Sequence, residues 1–164
     1  MSHAAKWQTQ LVDRTSETIS VGSDCSGIGA DMFAYKLLGL EDRTSHEFAS
    51  EKDERTKAAY IANHGGAKTM YSTCSLAGRK VEQVRHVTVY TAGPPCQAFS
   101  MAGKRRGLDD VGTANDDANR GSVLLDVTGY IISKRPTVFV IEQVKGLTQG
   151  DQKATFDGGS LIIG

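Results

Sequence analysis

The run Thr137–Glu142, TVFVIE, constrains the fold more than any other stretch of the chain. A half-wet antiparallel strand alternates apolar and polar residues. An unbroken apolar run closed by one glutamate instead suits a parallel strand covered on both faces. Val87–Ala92 (VTVYTA) has the same β-branched and aromatic character, and Ile19–Val21, His46–Ser50 and Lys68–Ser72 are shorter strand candidates. Helical patterns fall between them at Asp31–Leu38, stopped by Gly39, and at Lys52–Asn63, stopped by His64, Gly65 and Gly66. Gly121–Ser133 reads as a third helix despite its β-branched residues and Gly129. Strands separated by helices predict βαβ units and a three-layer α/β sandwich.

One domain is what 164 residues can support with a single real core. Residues 1–17 contain no apolar segment with a cleavage pattern and read as a flexible lead-in; 18–147 carry the domain, and 148–164 have no clear period. No run nears the roughly 20 apolar residues of a membrane span. Cys25, Cys74 and Cys96 lie far apart and the four histidines are scattered, so no metal site is expected. An odd cysteine count without a secretory signal suits a reducing, intracellular setting, cytoplasmic in a prokaryote or nuclear in a eukaryote. Lys and Arg total 19 against 19 Asp and Glu, which leaves no basic excess for a stand-alone nucleic-acid binder.

Ligands in α/β sheets gather at the carboxyl ends of strands, near the point where strand order reverses. Three polar stretches stand at such ends: SDCSGIGA after the first strand, GPPCQ after the fourth and EQV after the fifth. Gly27 and Gly29 allow close backbone approach to a ligand at a helix start, or serve only as a turn. Glu51, one step past the second strand, is placed to take ribose hydroxyls or to cap the following helix. Cys96 is by itself either a small packing residue or a nucleophile. Pro94 and Pro95 lack N–H groups and fix φ, so the thiol beyond them stands on a stiff strand end. The loop that follows carries Gly103 and Gly107, with Lys104, Arg105 and Arg106 as phosphate ligands or as a solvated charged surface. Glu142 is either capped by backbone N–H groups or poised in a cleft.

Together these segments resemble the cytosine-C5 DNA methyltransferases. AGPPCQAFSMAGKRRG is similar to that family's nucleophile motif and mobile loop, and GPPCQ-x-FS followed by AGK-RRG-x-DD is highly specific. SDCSGIGA resembles its first cofactor motif, Glu51 its ribose-binding acid, RGSVLLD the helix behind the catalytic strand, and EQVKGL its ENV-x-G motif, over about Ile19–Leu147. The resemblance implies a Rossmann-like S-adenosylmethionine-dependent fold. It also implies methyl transfer to C5 of a cytosine flipped out of duplex DNA, through a covalent adduct with Cys96. The implied catalytic residues are Cys96, Glu142, Pro95, Gln97 and Ser100. The implied cofactor-binding residues are Asp24, Cys25, Ser26, Gly27, Ile28, Gly29, Glu51, Lys52, Ser72, Pro94 and Leu124, with Lys104, Arg105 and Arg106 on DNA.

The chain departs from the family in four places. Ser23, Asp24 and Cys25 stand where the family has an acid followed by Leu-Phe, so the acid is displaced by one. TMYSTCS lacks the acid usual after the third strand, and Gln143 replaces the usual Asn. After Leu147 there is no basic Gln-Arg-Arg strand, no recognition domain and no returning helix. The expectation is therefore a fold incomplete at its C-terminus, acting as a fragment or with a separate recognition subunit. The alternatives are an inactive cofactor- or partner-binding remnant, or a methyltransferase of RNA cytosine, the substrate of one branch of the family. Thymidylate synthases also use a Pro-Pro-Cys thiol, but follow it with histidine and lack the glycine turn.

Overall fold

The computed structural model describes residues 18–73, 79–96 and 122–144. The expected strands are present: β1 (Ile19–Asp24), β2 (Thr44–Ser50), β3 (Thr69–Tyr71), β4 (Val89–Ala92) and β5 (Val138–Ile141). They form one sheet in the order β3-β2-β1-β4-β5, with every pairing parallel. The chain builds outward from β1 to β3, then returns to add β4 and β5 on the other side of β1. Strand order thus reverses between β1 and β4, which opens a crevice at their carboxyl ends.

Helices α1 (Ala30–Leu37), α2 (Glu54–His64) and α3 (Ser122–Lys134) connect the strands, with short 3-10 turns at Glu41–Arg43 and Val81–Gln83. No helix among the described residues is long and apolar enough to cross a membrane. Helix α2 starts two residues later than Lys52, because Asp53 caps it: its Oδ1 accepts from the Thr56 backbone N–H at 2.8 Å. Helix α3 forms although Gly129 and its β-branched residues disfavour helix, since Leu124, Val127 and Tyr130 are all buried. Burial of such side chains, at about 1.5–3 kcal/mol each, outweighs propensity differences below about 1 kcal/mol.

The two faces of the sheet are covered unequally. On the α3 face, Phe48, Tyr90, Ala92 and Ile141 pack with Leu124, Val127 and Tyr130. Tyr90 stacks on Tyr130 with ring centroids 4.3 Å apart, and Phe48 meets both rings. Gly22, paired with Phe48, has no room for a side chain, because an added Cβ would lie 2.4 Å from Phe48 Cε1. On the opposite face Thr91 bonds to Asp31 of α1 and His46 lies 2.8 Å from the Tyr60 hydroxyl of α2. Val138 and Val140 of β5 are 48% and 54% exposed there, and α1 has no fully buried residue. The expectation that TVFVIE is covered on both faces is corrected: Phe139 and Ile141 are packed, and their alternating neighbours are open. An apolar run records which faces of a strand favour burial, not which segment buries them.

Between the pairs Val21–His46 and Gly22–Phe48, β2 accommodates one extra residue, Glu47. Its carboxylate meets Lys68 at 2.6 Å, Ser45 at 2.7 Å and Arg85 at 2.9 Å. Burial works to raise its pKa, but the Lys68 and Ser45 hydrogen bonds and the Lys68 and Arg85 charges outweigh it, and the net direction is down.

Candidate active site

The three stretches that stood apart in sequence meet at one end of the sheet. The Gly93 N–H donates to the Asp24 carbonyl at 3.3 Å, and the Glu142 N–H donates to the Ala92 carbonyl at 2.9 Å. These bonds continue the β1–β4 and β4–β5 ladders past the strand ends, so Cys25, Gly93 and Glu142 are neighbours. A Cβ added to Gly93 would lie 3.9 Å from the Cys25 carbonyl oxygen and 4.0 Å from Glu142 Oε2. A methyl would make only ordinary contact at those distances; with glycine the space stays empty, a passage between the two groups.

The turn after β1 is held by β2. The Ser26 N–H donates to the Ser50 carbonyl at 2.9 Å, and the Gly29 N–H to the Ser26 carbonyl at 2.9 Å. Ser26 Oγ lies 2.7 Å from Ser23 Oγ, which is buried. Cys25 has φ of +52°, a left-handed conformation uncommon for a residue with a side chain. Gly29 has φ of +85°, and its missing Cβ leaves room for the His64 ring, whose Nε2 bonds the Ile28 carbonyl at 3.0 Å. The turn is thereby clamped between β2 and α2.

Glu51 stands at the carboxyl end of β2 as expected. Its Oε2 accepts from the Gly27 N–H at 3.0 Å and its Oε1 from the Asp53 N–H at 2.9 Å. The carboxylate therefore links the glycine turn to the start of α2 and retains lone pairs for a ligand. Ser72, at the carboxyl end of β3, accepts from Lys57 Nζ at 2.7 Å; Lys52 is exposed.

On β4 and β5, Pro94 is buried, and Pro95 and the free thiol of Cys96 are half-buried. Gln143 braces this segment: its Nε2 donates to the Pro94 carbonyl at 3.1 Å and its Oε1 accepts from the Val144 N–H at 2.9 Å. Glu142 is exposed beside them. Gln97, Ser100, Lys104, Arg105 and Arg106 lie outside the described residues, as do the hinge candidates Gly103 and Gly107 and the tail from residue 145.

Two expected cofactor residues have side chains in the core. Leu124 is 1% exposed within the α3 cluster. Asp24 is fully buried on the same face: it accepts from Ser50 Oγ and Tyr90 Oη, both at 2.6 Å, and pairs with Arg79. Only the backbone of Asp24 is left to a ligand. The reason is the strand's two-residue period, which sends Ser23 to the α1 face and Asp24 to the α3 face.

A cleft of about 530 Å³ opens at this end of the sheet, a size usual for small-ligand sites. Ser23 to Ser26, Ala92, Gly93 and Glu142 line it at the strand ends, and Asp31, Ala34, Tyr35, Val89, Thr91 and Val140 line it along the α1 face. Asp31 and Thr91 were not singled out by sequence. An Asp in the first turn of a helix reads as a partner of the helix dipole, and strand alternation, which places Thr91 opposite the Tyr90 face, is the one available signal. Burial first, and then the Asp31 charge, push the Tyr35 phenol well above its ordinary pKa.

The profile described as C-5 cytosine-specific DNA methylase matches residues 20–159. Among curated relatives, Type II methyltransferase M.HpaII of Haemophilus parainfluenzae is 35% identical over 130 residues, covering 79% of this chain and 32% of that protein. Type II methyltransferase M.NlaX of Neisseria lactamica is 32% identical over 122 residues, covering 72% of this chain and 35% of the relative. The chain thus spans about a third of the length of these relatives. A mutant of Spodoptera frugiperda DNMT2 superposes with a TM-score of 0.57 at 20% identity, covering 84% of this chain and 39% of that one, a likeness of fold.

Proposed function

The chain belongs to the C-5 cytosine-specific DNA methylase family, and from that premise we propose that it is the catalytic portion of an enzyme methylating cytosine C5 in DNA. The observation that supports this most is the meeting of Cys25, Gly93 and Glu142 at the carboxyl ends of β1, β4 and β5, with Cys96 three residues after Gly93 in the chain. The cleft there fits S-adenosylmethionine in volume. The Ser23–Ser26 turn and Gly93 in its lining suit the methionyl end and the sulfonium of that cofactor, and the Glu51 carboxylate, outside the lining and bonded to the Gly27 N–H, suits the ribose. When bound, the cofactor supplies an electrophilic methyl group on a positively charged sulfur.

Cytosine C5 is too weak a nucleophile to take that methyl unaided, and a duplex hides it, so the base is flipped into the site. The Cys96 thiolate adds to C6, forming the C–S bond and moving electron density to C5. Glu142 holds the N3 and amino edge of the base and delivers a proton to N3, removing the charge that develops there. C5 then takes the methyl group, whose bond to sulfur breaks to leave a neutral thioether. A base removes the C5 proton, the electron pair left behind expels the thiolate, and the N3 proton returns to Glu142, which restores the neutral ring. Pro94 and Pro95 fix the approach of the thiol, and Gln143 fixes Pro94.

Gln97, Ser100, Lys104, Arg105 and Arg106 are assigned to the loop that holds the flipped nucleotide and its phosphates. Target recognition is assigned to residues outside this sequence, as a continuing chain or a separate subunit.

The test is transfer of tritium-labelled methyl from S-adenosylmethionine to cytosine-containing duplex DNA by the full or complemented enzyme. Cys96→Ser is expected to abolish transfer while cofactor binding persists. Normal turnover by that variant refutes the assigned chemistry.

A further inference from the structure

The cleft holds its carboxylates in an arrangement that the linear motif does not reveal. The acid at the end of β1, Asp24, is on the α3 face and neutralised by Arg79. Asp31, in the first turn of α1, is instead on the open face and borders the cleft. Thr91 Oγ1 donates to Asp31 Oδ2 at 2.9 Å and fixes the orientation of the carboxylate. Among the described residues, the cleft wall has no Lys, Arg or His. No side-chain cation of the wall therefore pairs with Asp31, which meets only the N-terminal end of α1 and the Thr91 hydroxyl, and its field reaches the Tyr35 phenol and His46. An oriented carboxylate without a side-chain cation in a small cleft favours a cationic group.

We propose that Asp31 binds the α-ammonium at the methionyl end of S-adenosylmethionine, a binding role that rests on the cofactor reading above. Thr91, two residues before Gly93, acts as its positioning residue. A short alkyl chain joins the ammonium to the sulfonium. If the sulfonium stands at the Gly93 passage, the ammonium lies within reach of the Thr91 level of β4, where Asp31 is held. The acid that a motif reader expects at the end of β1 is thus replaced by one from the first turn of α1. Asp24 is left to hold the strand.

The test is isothermal titration of the 164-residue chain with three ligands: S-adenosylmethionine, S-adenosylhomocysteine and 5′-methylthioadenosine, which lacks the amino-acid end. Asp31→Asn is expected to weaken the first two by about 10- to 100-fold, the range of a charge-assisted hydrogen bond, and to leave the third within about twofold. Thr91→Val keeps the charge and loses the orientation, so a smaller loss of about threefold is expected, again confined to the first two ligands. Equal weakening of all three ligands, or none, overturns the role of Asp31. Should Asp31→Asn fail to fold, the selectivity of Thr91→Val decides the same question. Binding of none of the three by the unmodified chain overturns the cofactor reading and this proposal with it. Ligand binding that is unchanged by both substitutions overturns the proposal alone.

Discussion

Replacing Asp24 by Asn separates its structural role from a ligand-binding one. The Asp24 side chain is fully enclosed and that of Arg79 is 2% exposed, so the substitution removes the Asp24 charge from beside a buried guanidinium. Breaking a buried pair in this way costs about 3–5 kcal/mol. Two features set the value here. The guanidinium carbon lies 5.2 Å from the Tyr71 ring centroid and 5.8 Å from that of Phe48, and those cation–π contacts survive, which favours the lower end. The new amide hydrogens, however, face Arg79 or the hydroxyls of Ser50 and Tyr90, all donors to the carboxylate, which works the other way. A loss of about 3 kcal/mol or more follows. For a chain of this size it lowers the melting temperature by roughly 6–12 °C, at about 2–4 °C per kcal/mol. Thermal and urea unfolding followed by far-ultraviolet circular dichroism measure it. Combining Asp24→Asn with Arg79→Met removes both charges, and the pair is expected to be non-additive by about 1 kcal/mol or more, with the double variant recovering stability. A loss below about 1 kcal/mol, or unchanged stability with loss of S-adenosylmethionine binding, would refute the reasoning and return Asp24 to the ligand site.

Two further outcomes follow from the packing and from titration. Gly22→Ala places a methyl 2.4 Å from Phe48 Cε1, in a ring 1% exposed and hemmed by Tyr71, Tyr90 and Tyr130, and is expected to destabilise by about 1–3 kcal/mol. A melting temperature within about 1 °C of the parent chain contradicts that packing. Burial lowers the pKa of His46; the Asp31 and Glu47 charges oppose it and His64 adds to it. The unfolded chain therefore takes up a proton near pH 6.5 that the native chain resists. Stability is full above that value and falls as pH drops through it toward the native pKa. Urea titrations at about pH 7.5 and 5.5 are expected to show this loss, and His46→Gln to reduce it; an equal loss in both chains rules out His46 as the source.

Much of the site was legible because its signals are local. Pro94 and Pro95 restrict their own backbone, Gly29 occupies a conformation and a space that side chains resist, and the apolar runs of β4 and β5 select parallel strands. Even the weak candidate Lys68–Ser72 corresponds to a real strand, Thr69–Tyr71. From five strands with helices between them, general rules bring Cys25, Gly93, Cys96 and Glu142 toward one end of a sheet. The Gln143 brace was legible in part, since the residue type was noticed but its partner, the Pro94 carbonyl 49 residues earlier in the chain, was not.

Strand identity, parallel arrangement and the sheet edge that carries the candidate site are legible in the sequence, because backbone preferences and apolar periodicity act over a few residues. Which acid meets which neighbour depends on tertiary contacts. Asp24 finds Arg79 across 55 residues, and Asp31 finds Thr91 across 60. Adjacent strand residues face opposite sides, so the register at the last residue of β1 sends one carboxylate into the core. The acid left facing the cleft comes from the next helix.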